Sequence, residues 1–328
     1  MIQVLYDRGI YLPGADLWLD PQGTRPLAFV SSVCGMQSNH GGHHQRMILT
    51  EATARLMRAR LGFGGKVQHI LRFGEQRDFG PFRATLIPGG EVLGAAQILL
   101  EHLGENLLYV GNYKSGRSVE GDVTENIHAE TLILETTYGH PHFKFPPIEK
   151  TMRRLVTFCQ ESLAGRKVPV LLGYSLGKAR EILAALSEAA LPVMVHGSIW
   201  PMMRLYEELG EGFPPYGSFE PGSVAGHVLL CPLAAAHSPV MEQIPAKSIA
   251  LLSGSKVDGY AKSRYHLEEI FPLSDHADYN ELLGLVERVK PSRVLTLHGF
   301  ASEFAQDLRS RGLEACSLTG GNQMELLI

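Results

Sequence analysis

Cysteine is scarce and scattered: Cys34, Cys159, Cys231 and Cys316 are the four in 328 residues, and none sits in a Cys-x-x-Cys spacing. That excludes a disulfide framework and a thiolate zinc knuckle, and fits a reducing compartment. No run of about 18 apolar residues occurs, so no membrane span is expected. The opening stretch Met1–Gly9 is too short and too polar for a secretory leader, and a cytoplasmic location is the expectation. Charge of one sign is missing as well. With 30 Lys and Arg against 34 Asp and Glu, the formal net charge is −4. Strong global attraction to nucleic acid is thereby excluded. The local patches at Arg55, Arg58 and Arg60 and at Arg153-Arg154 read more simply as solvated helix faces. Internal repeats and low-complexity tracts are lacking too.

What remains is an ordinary globular composition, 45% hydrophobic and 20% charged, long enough for one large domain or two medium ones. Short apolar runs bounded by Gly, Pro and Asp predict strands at Ile2–Tyr6, Ala15–Leu19, Leu27–Val30, Val67–Leu71, Phe82–Ile87, Asn106–Val110 and Thr131–Leu134. A helix is predicted over Thr50–Gly62, from a Thr cap to a Gly stop, and a second over Val92–Leu103. After Pro146-Pro147 the texture alternates. Helices are expected at Ile148–Leu163, Gly177–Ala190 and Pro201–Leu209, and strands at Val168–Leu172 and Pro192–Val195. A Gly- and Pro-rich connection over Glu211–Gly226 follows. Strands at Val228–Cys231, Ile249–Ser253 and Val294–Leu297, with a helix at Tyr279–Val289, close the chain. The pattern is α/β, or α+β: a parallel α/β unit inserted between the two parts of a strand-rich domain.

Several strings share an order that resembles the metallo-β-lactamase fold with a β-CASP insertion, a family of nucleases. They are Leu19-Asp20-Pro21, Phe29-Val30-Ser31, Ile48 to Met57, Val92 to Gln97, Leu134-Glu135-Thr136-Thr137-Tyr138-Gly139, Leu176-Gly177-Lys178-Ala179, Pro272 to Tyr279 and Leu297-His298-Gly299. The set spans nearly the whole chain and is most similar to the bacterial ligase-associated DNA exonucleases, the mRNA 3′-end processing exonuclease-like group. The resemblance implies a four-layer αββα sandwich with an inserted β-CASP parallel α/β domain. The expected parts are 1–146 and 246–328 for the sandwich and 147–245 for the insert.

The resemblance also implies a site in which two divalent metals, usually zinc, bridge and activate a water. Here the ligand positions are altered. Gly35 and Gln37 stand where the first two histidines of a His-x-His-x-Asp-His run would be, and Asn39 stands for its aspartate. Glu91 replaces a further histidine, and Asn112 the bridging aspartate. His40 and His298 keep a ligand type. Outside the metal set, Asp20, Glu135 and His276 are retained, implied to orient a ligand, support the site and act as a general acid near the leaving oxygen. Neutral amides are poor partners for zinc beside imidazole or carboxylate. No metal is therefore the expectation, or at most one weakly bound Zn or Mn. An aspartate changed to asparagine also removes negative charge where no dication would balance it.

Other residues carry paired readings. His40, Gly41-Gly42 and His43-His44 read either as a rearranged metal site with Glu91 or as a loop of solvated histidines. The turn Tyr174-Ser175-Leu176-Gly177-Lys178 reads either as a plain strand-to-helix turn or as a phosphate contact through Ser175 and Lys178. It lacks the Walker spacing. Asp275 and His276 read either as a retained phosphate contact or as a structural hydrogen bond. His140 and His142 read as a surface loop. Three functions stay open: a catalytically degenerate binder, an active exonuclease with a reduced or relocated metal site, and a small-molecule binder or hydrolase. The partners implied are DNA or RNA ends and a DNA ligase or helicase of repair, with no membrane.

Overall fold

The computed structural model describes residues 1–33, 44–62, 67–90, 92–115, 127–173, 176–244, 246–254 and 259–319. The chain forms two compact units. One is Met1–Lys144 with His276–Leu327; the other is Phe145–Asp275.

The first unit holds two sheets. A six-stranded sheet runs in chain order through Leu5–Tyr6, Ile10–Leu12, Leu17–Leu19, Leu27–Phe29, Arg46–Leu49 and Val67–Ile70. A seven-stranded sheet orders Glu314–Ser317, Arg293–Leu297, Thr131–Glu135, Glu105–Tyr109, Ala96–His102, Arg83–Pro88 and Gln76–Asp78. Its first four strands are parallel and its remainder antiparallel. Leu17, Leu19, Phe29 and Ile48 from one sheet and Leu86, Ile98, Leu107 and Ile133 from the other share one apolar core. The opposite face of the seven-stranded sheet, with Leu108, Leu132 and Leu134, packs on Leu282, Leu285 and Phe304 from helices Tyr279–Val289 and Ala301–Ser310. This is the mixed α/β sandwich that the sequence resemblance implied.

Helix Glu51–Leu61 starts as its cap predicts. Thr50 accepts from the Thr53 N–H at 3.1 Å, and Gly62 closes the helix at φ 74°. Both threonine hydroxyls also donate to the Gly94 carbonyl, at 2.7 and 2.8 Å. Gly94 is at φ 78°, and a Cβ there would lie 2.5 Å from that of Ala52, so the approach requires glycine.

The expected helix Val92–Leu103 is instead mostly strand, Ala96–His102. Ile98 and Leu100 face the inter-sheet core while Leu99 packs on the helical side. A strand buried on both faces loses the two-residue period and leaves a continuous apolar run. The glycine that resembles a helix stop is half of a hairpin turn. Leu103 (φ 50°) and Gly104 (φ 78°) are both left-handed, and His102 pairs with Glu105.

The second unit is built on a parallel sheet ordered Gly217–Ser218, Val193–Val195, Val228–Cys231, Val168–Leu172, Lys247–Leu252 and Leu267–Phe271. Apolar cores cover both faces. The expected end of the insert at 245 differs from this arrangement. Lys247–Leu252 pairs with Val168–Leu172, and the unit continues to Asp275. A fully buried apolar strand carries no local mark of which sheet it joins, so its partner is invisible in the sequence.

Candidate functional site

Four segments of the first unit carry the residues that the sequence resemblance singles out. Asp20 follows strand Leu17–Leu19 in a left-handed conformation, φ 41°. Its carboxylate accepts from the Ser31 N–H at 2.8 Å and from the Tyr109 hydroxyl at 2.9 Å. Burial raises its pKa above the ordinary carboxylate value, and the hydrogen bonds from Ser31 and Tyr109 oppose that rise. Tyr109 is pushed well above the ordinary phenol value, by burial first and then by the charges of Asp20 and Glu135. Gly111, at φ 58°, lets the backbone pass Ser31: a Cβ there would lie 2.9 Å from the Ser31 side chain.

Glu135 ends strand Thr131–Glu135, and His298 follows the adjacent strand Arg293–Leu297. Glu135 Oε1 and His298 Nε2 lie 3.8 Å apart, a contact that becomes an ion pair when the imidazole is protonated. The turn behind them is tight. His298 (φ 60°) and Gly299 (φ 51°) are consecutive left-handed residues, and a Cβ on Gly299 would lie 2.4 Å from Thr137 Cα. Thr136 fixes the turn through its hydroxyl to the His298 carbonyl at 2.8 Å, and its own carbonyl accepts from the Phe300 N–H at 2.9 Å. A left-handed, partly exposed histidine is uncommon and marks a position that the fold holds against local preference.

Asn112 and His276 are brought into register by neighbouring groups. Ala277 N–H donates to the Tyr113 carbonyl at 2.6 Å, and the Tyr113 hydroxyl accepts from Arg288 at 2.7 Å. Glu281 adds a second tie. It accepts from Lys114 Nζ at 2.7 Å and from the Ser115 hydroxyl, and it completes a capping box with Asp278. His276 itself meets the edge of Tyr138, ring centroids 6.2 Å apart.

Gly35, Gln37, Asn39, His40, His43, Glu91 and Ser175 lie outside the described residues. Among the described residues, no group of three or more His, Cys, Asp or Glu side chains converges as a metal would require. Asp20 has both oxygens engaged, and Asn112 offers a neutral amide. His44 is buried, with Nδ1 accepting from the Arg25 N–H at 3.2 Å, which withdraws that nitrogen from ligation.

In the second unit, Lys178 Nζ donates to the Leu273 carbonyl at 3.0 Å and lies 3.7 Å from Asp275 Oδ1. Both side chains are 14% exposed, so the lysine charge is already balanced within the unit. A phosphate at this turn would compete with Asp275.

Sequence reasoning does not single out Tyr109, Lys114 or Glu281. For Glu281 a signal exists, the Asp278-x-x-Glu281 capping signature. The Tyr109 contact joins residues 89 apart and leaves no local signal.

Comparison with known proteins gives a consistent picture. Residues 263–315 match the model of the Zn-dependent metallo-hydrolase RNA specificity domain. The chain is 44% identical over 326 residues to a "Probable DNA ligase" of Opitutus terrae, covering 98% of this chain and 32% of that protein. It is 25% identical over 300 residues to "Transcription termination factor FttA" of Thermococcus kodakarensis, covering 70% of this chain and 46% of that protein. An "RNase J-like protein" of Methanocaldococcus jannaschii is 23% identical over 261 residues, with 64% and 62% coverage. The chain thus spans from about a third to under two thirds of the length of these relatives.

Proposed function

The chain belongs to the metallo-β-lactamase family with a β-CASP insertion, and from that premise we propose that it binds nucleic-acid ends without hydrolysing them. The observation that carries this reading is Asn112. A neutral amide stands where the resemblance places the bridging carboxylate, so activation of a shared water at neutral pH has no source. Gly35, Gln37 and Asn39 likewise put a non-ligating or neutral side chain where the resemblance places a ligand. The contact between Glu135 and His298, and the closed network around Asp20, support a pocket that is packed on itself.

The occupant in this reading is an end of single-stranded or duplex DNA or RNA. The ligase name of the 44% identical relative favours a role beside a DNA ligase, with this chain as a binding or positioning component. Lys178 is a weak candidate for a phosphate contact in this reading, because Asp275 already balances its charge.

The test is fluorescence anisotropy with end-labelled single-stranded and recessed-end DNA and RNA. A cleavage gel of the same mixtures would contain Mg, Mn or Zn. Binding without cleavage is expected. Chelator-sensitive cleavage that disappears in His298→Ala would overturn the proposal and establish the second reading, a reduced metal site around His40, His298 and Glu91.

A further inference from the structure

We infer that His140, His142, Phe143 and Phe300, backed by the buried ring of Tyr138, form a stacking platform for a base of single-stranded nucleic acid. This rests on the nucleic-acid-binding reading above and deepens it by naming what is recognised. The rings form a continuous chain in the first unit. Tyr138 to Phe143 is 5.1 Å between centroids, Phe143 to Phe300 5.2 Å, Phe300 to His140 5.4 Å, and His142 to Phe143 5.6 Å. His142 and Pro141 are exposed, and His140, Phe143 and Phe300 are only partly buried, so the cluster is not an internal core.

Its anchoring is local and firm. Phe143 N–H donates to the His140 carbonyl at 2.8 Å, and His142 N–H donates to His140 Nδ1 at 3.2 Å, which orients that ring. The Phe143 carbonyl accepts from the Tyr279 N–H at 3.1 Å. The position also fits. Phe300 is separated from His298 by Gly299 alone in the chain, and the Tyr138 ring meets the edge of His276. The segment from Thr136 to Pro147 contains no acidic residue, and exposed Lys144 follows its aromatic run, which suits an approaching phosphate. Aromatic faces accept any base, so affinity without sequence preference is what such a surface supplies.

The experiment measures binding of labelled oligothymidylate and of an abasic strand of equal length, which keeps the phosphates and lacks the bases. Oligouridylate forms a parallel arm. Wild type is expected to prefer the thymidylate. His142→Ala and Phe300→Ala are expected to weaken thymidylate binding by roughly five- to hundredfold while leaving the abasic strand unaffected. Phe300→Trp should retain the preference. Because His142 is exposed, its variant keeps the fold, and melting curves check Phe300→Ala. Equal binding of both strands by wild type, or equal losses on both strands in the variants, would overturn the platform while leaving the nucleic-acid reading intact. No affinity of wild type for any strand would overturn both.

Discussion

Replacing Asp20 tests whether its pocket is built for a carboxylate or only for an acceptor. The side chain accepts from the Ser31 N–H and the Tyr109 hydroxyl, and Ser31 and Tyr109 are 2% and 1% exposed. In Asp20→Ala both buried donors lose their partner, at about 1–3 kcal/mol each. Alanine also tolerates φ 41° poorly, adding about 1–2 kcal/mol. The expected destabilisation is thus roughly 3–8 kcal/mol. Asp20→Asn keeps an oxygen for Ser31, presents an amide that Tyr109 can accept from, and suits a left-handed residue better. It also removes the charge whose burial raises the Asp20 pKa. The sign follows from linkage. An acid whose folded pKa is raised holds its proton more tightly when folded, so its ionisation diminishes stability above that pKa, and the loss is recovered as pH falls. Asp20→Asn should therefore melt at or above wild type near about pH 7, and the difference should shrink as pH falls through the raised pKa toward the ordinary carboxylate range. Melting temperature moves roughly 2–4 °C per kcal/mol for a unit of this size. A loss of more than about 2 kcal/mol in Asp20→Asn at neutral pH would refute the reasoning. The charge would then be balanced by a cation, which is the arrangement of a metal-bearing site.

Other consequences are open to measurement. Glu281→Ala breaks the capping box and the ties to Lys114 and Ser115. A loss of about 1–3 kcal/mol is expected by urea unfolding. Amide exchange should quicken at Ala277, whose N–H donates to the Tyr113 carbonyl beside this latch. Gly299→Ala places a Cβ 2.4 Å from Thr137 Cα at φ 51°, so the turn must shift. A loss of at least about 2 kcal/mol is expected, with displaced ring resonances of His298 by NMR. Ile98→Ala, at a fully buried strand position, should cost about 2–5 kcal/mol in the same unfolding assay. If residue 98 stood on a solvated helix face, the change would be within about 0.5 kcal/mol.

The elements most legible in the sequence are those whose signals are local. Val168–Leu172, Val228–Cys231 and Tyr279–Val289 coincide with their expected bounds, because turn residues or caps flank each apolar run. Ala96–His102 reads wrongly as helix because burial on both faces erases its period and because Gly104 resembles a helix stop while serving a hairpin. The end of the insert is set by the pairing of Lys247–Leu252 with Val168–Leu172, a long-range fact that no local signal carries. Strand Gln76–Asp78 and helix Ala301–Ser310 escape the sequence reading altogether. At the candidate site, Asp20, Glu135, His276 and His298 are reachable through ordered motifs. Their partners are not: Tyr109 meets Asp20, and Lys114 and Ser115 meet Glu281, through folding alone.

A lost two-metal centre is tested most directly by elemental analysis of protein purified without chelator, then dialysed against zinc and manganese. Fewer than about 0.1 metal ions per chain are expected, since amides at positions 37, 39 and 112 cannot replace imidazole and carboxylate donors. One or two tightly held ions per chain would contradict the proposed function and restore a hydrolytic reading of the site.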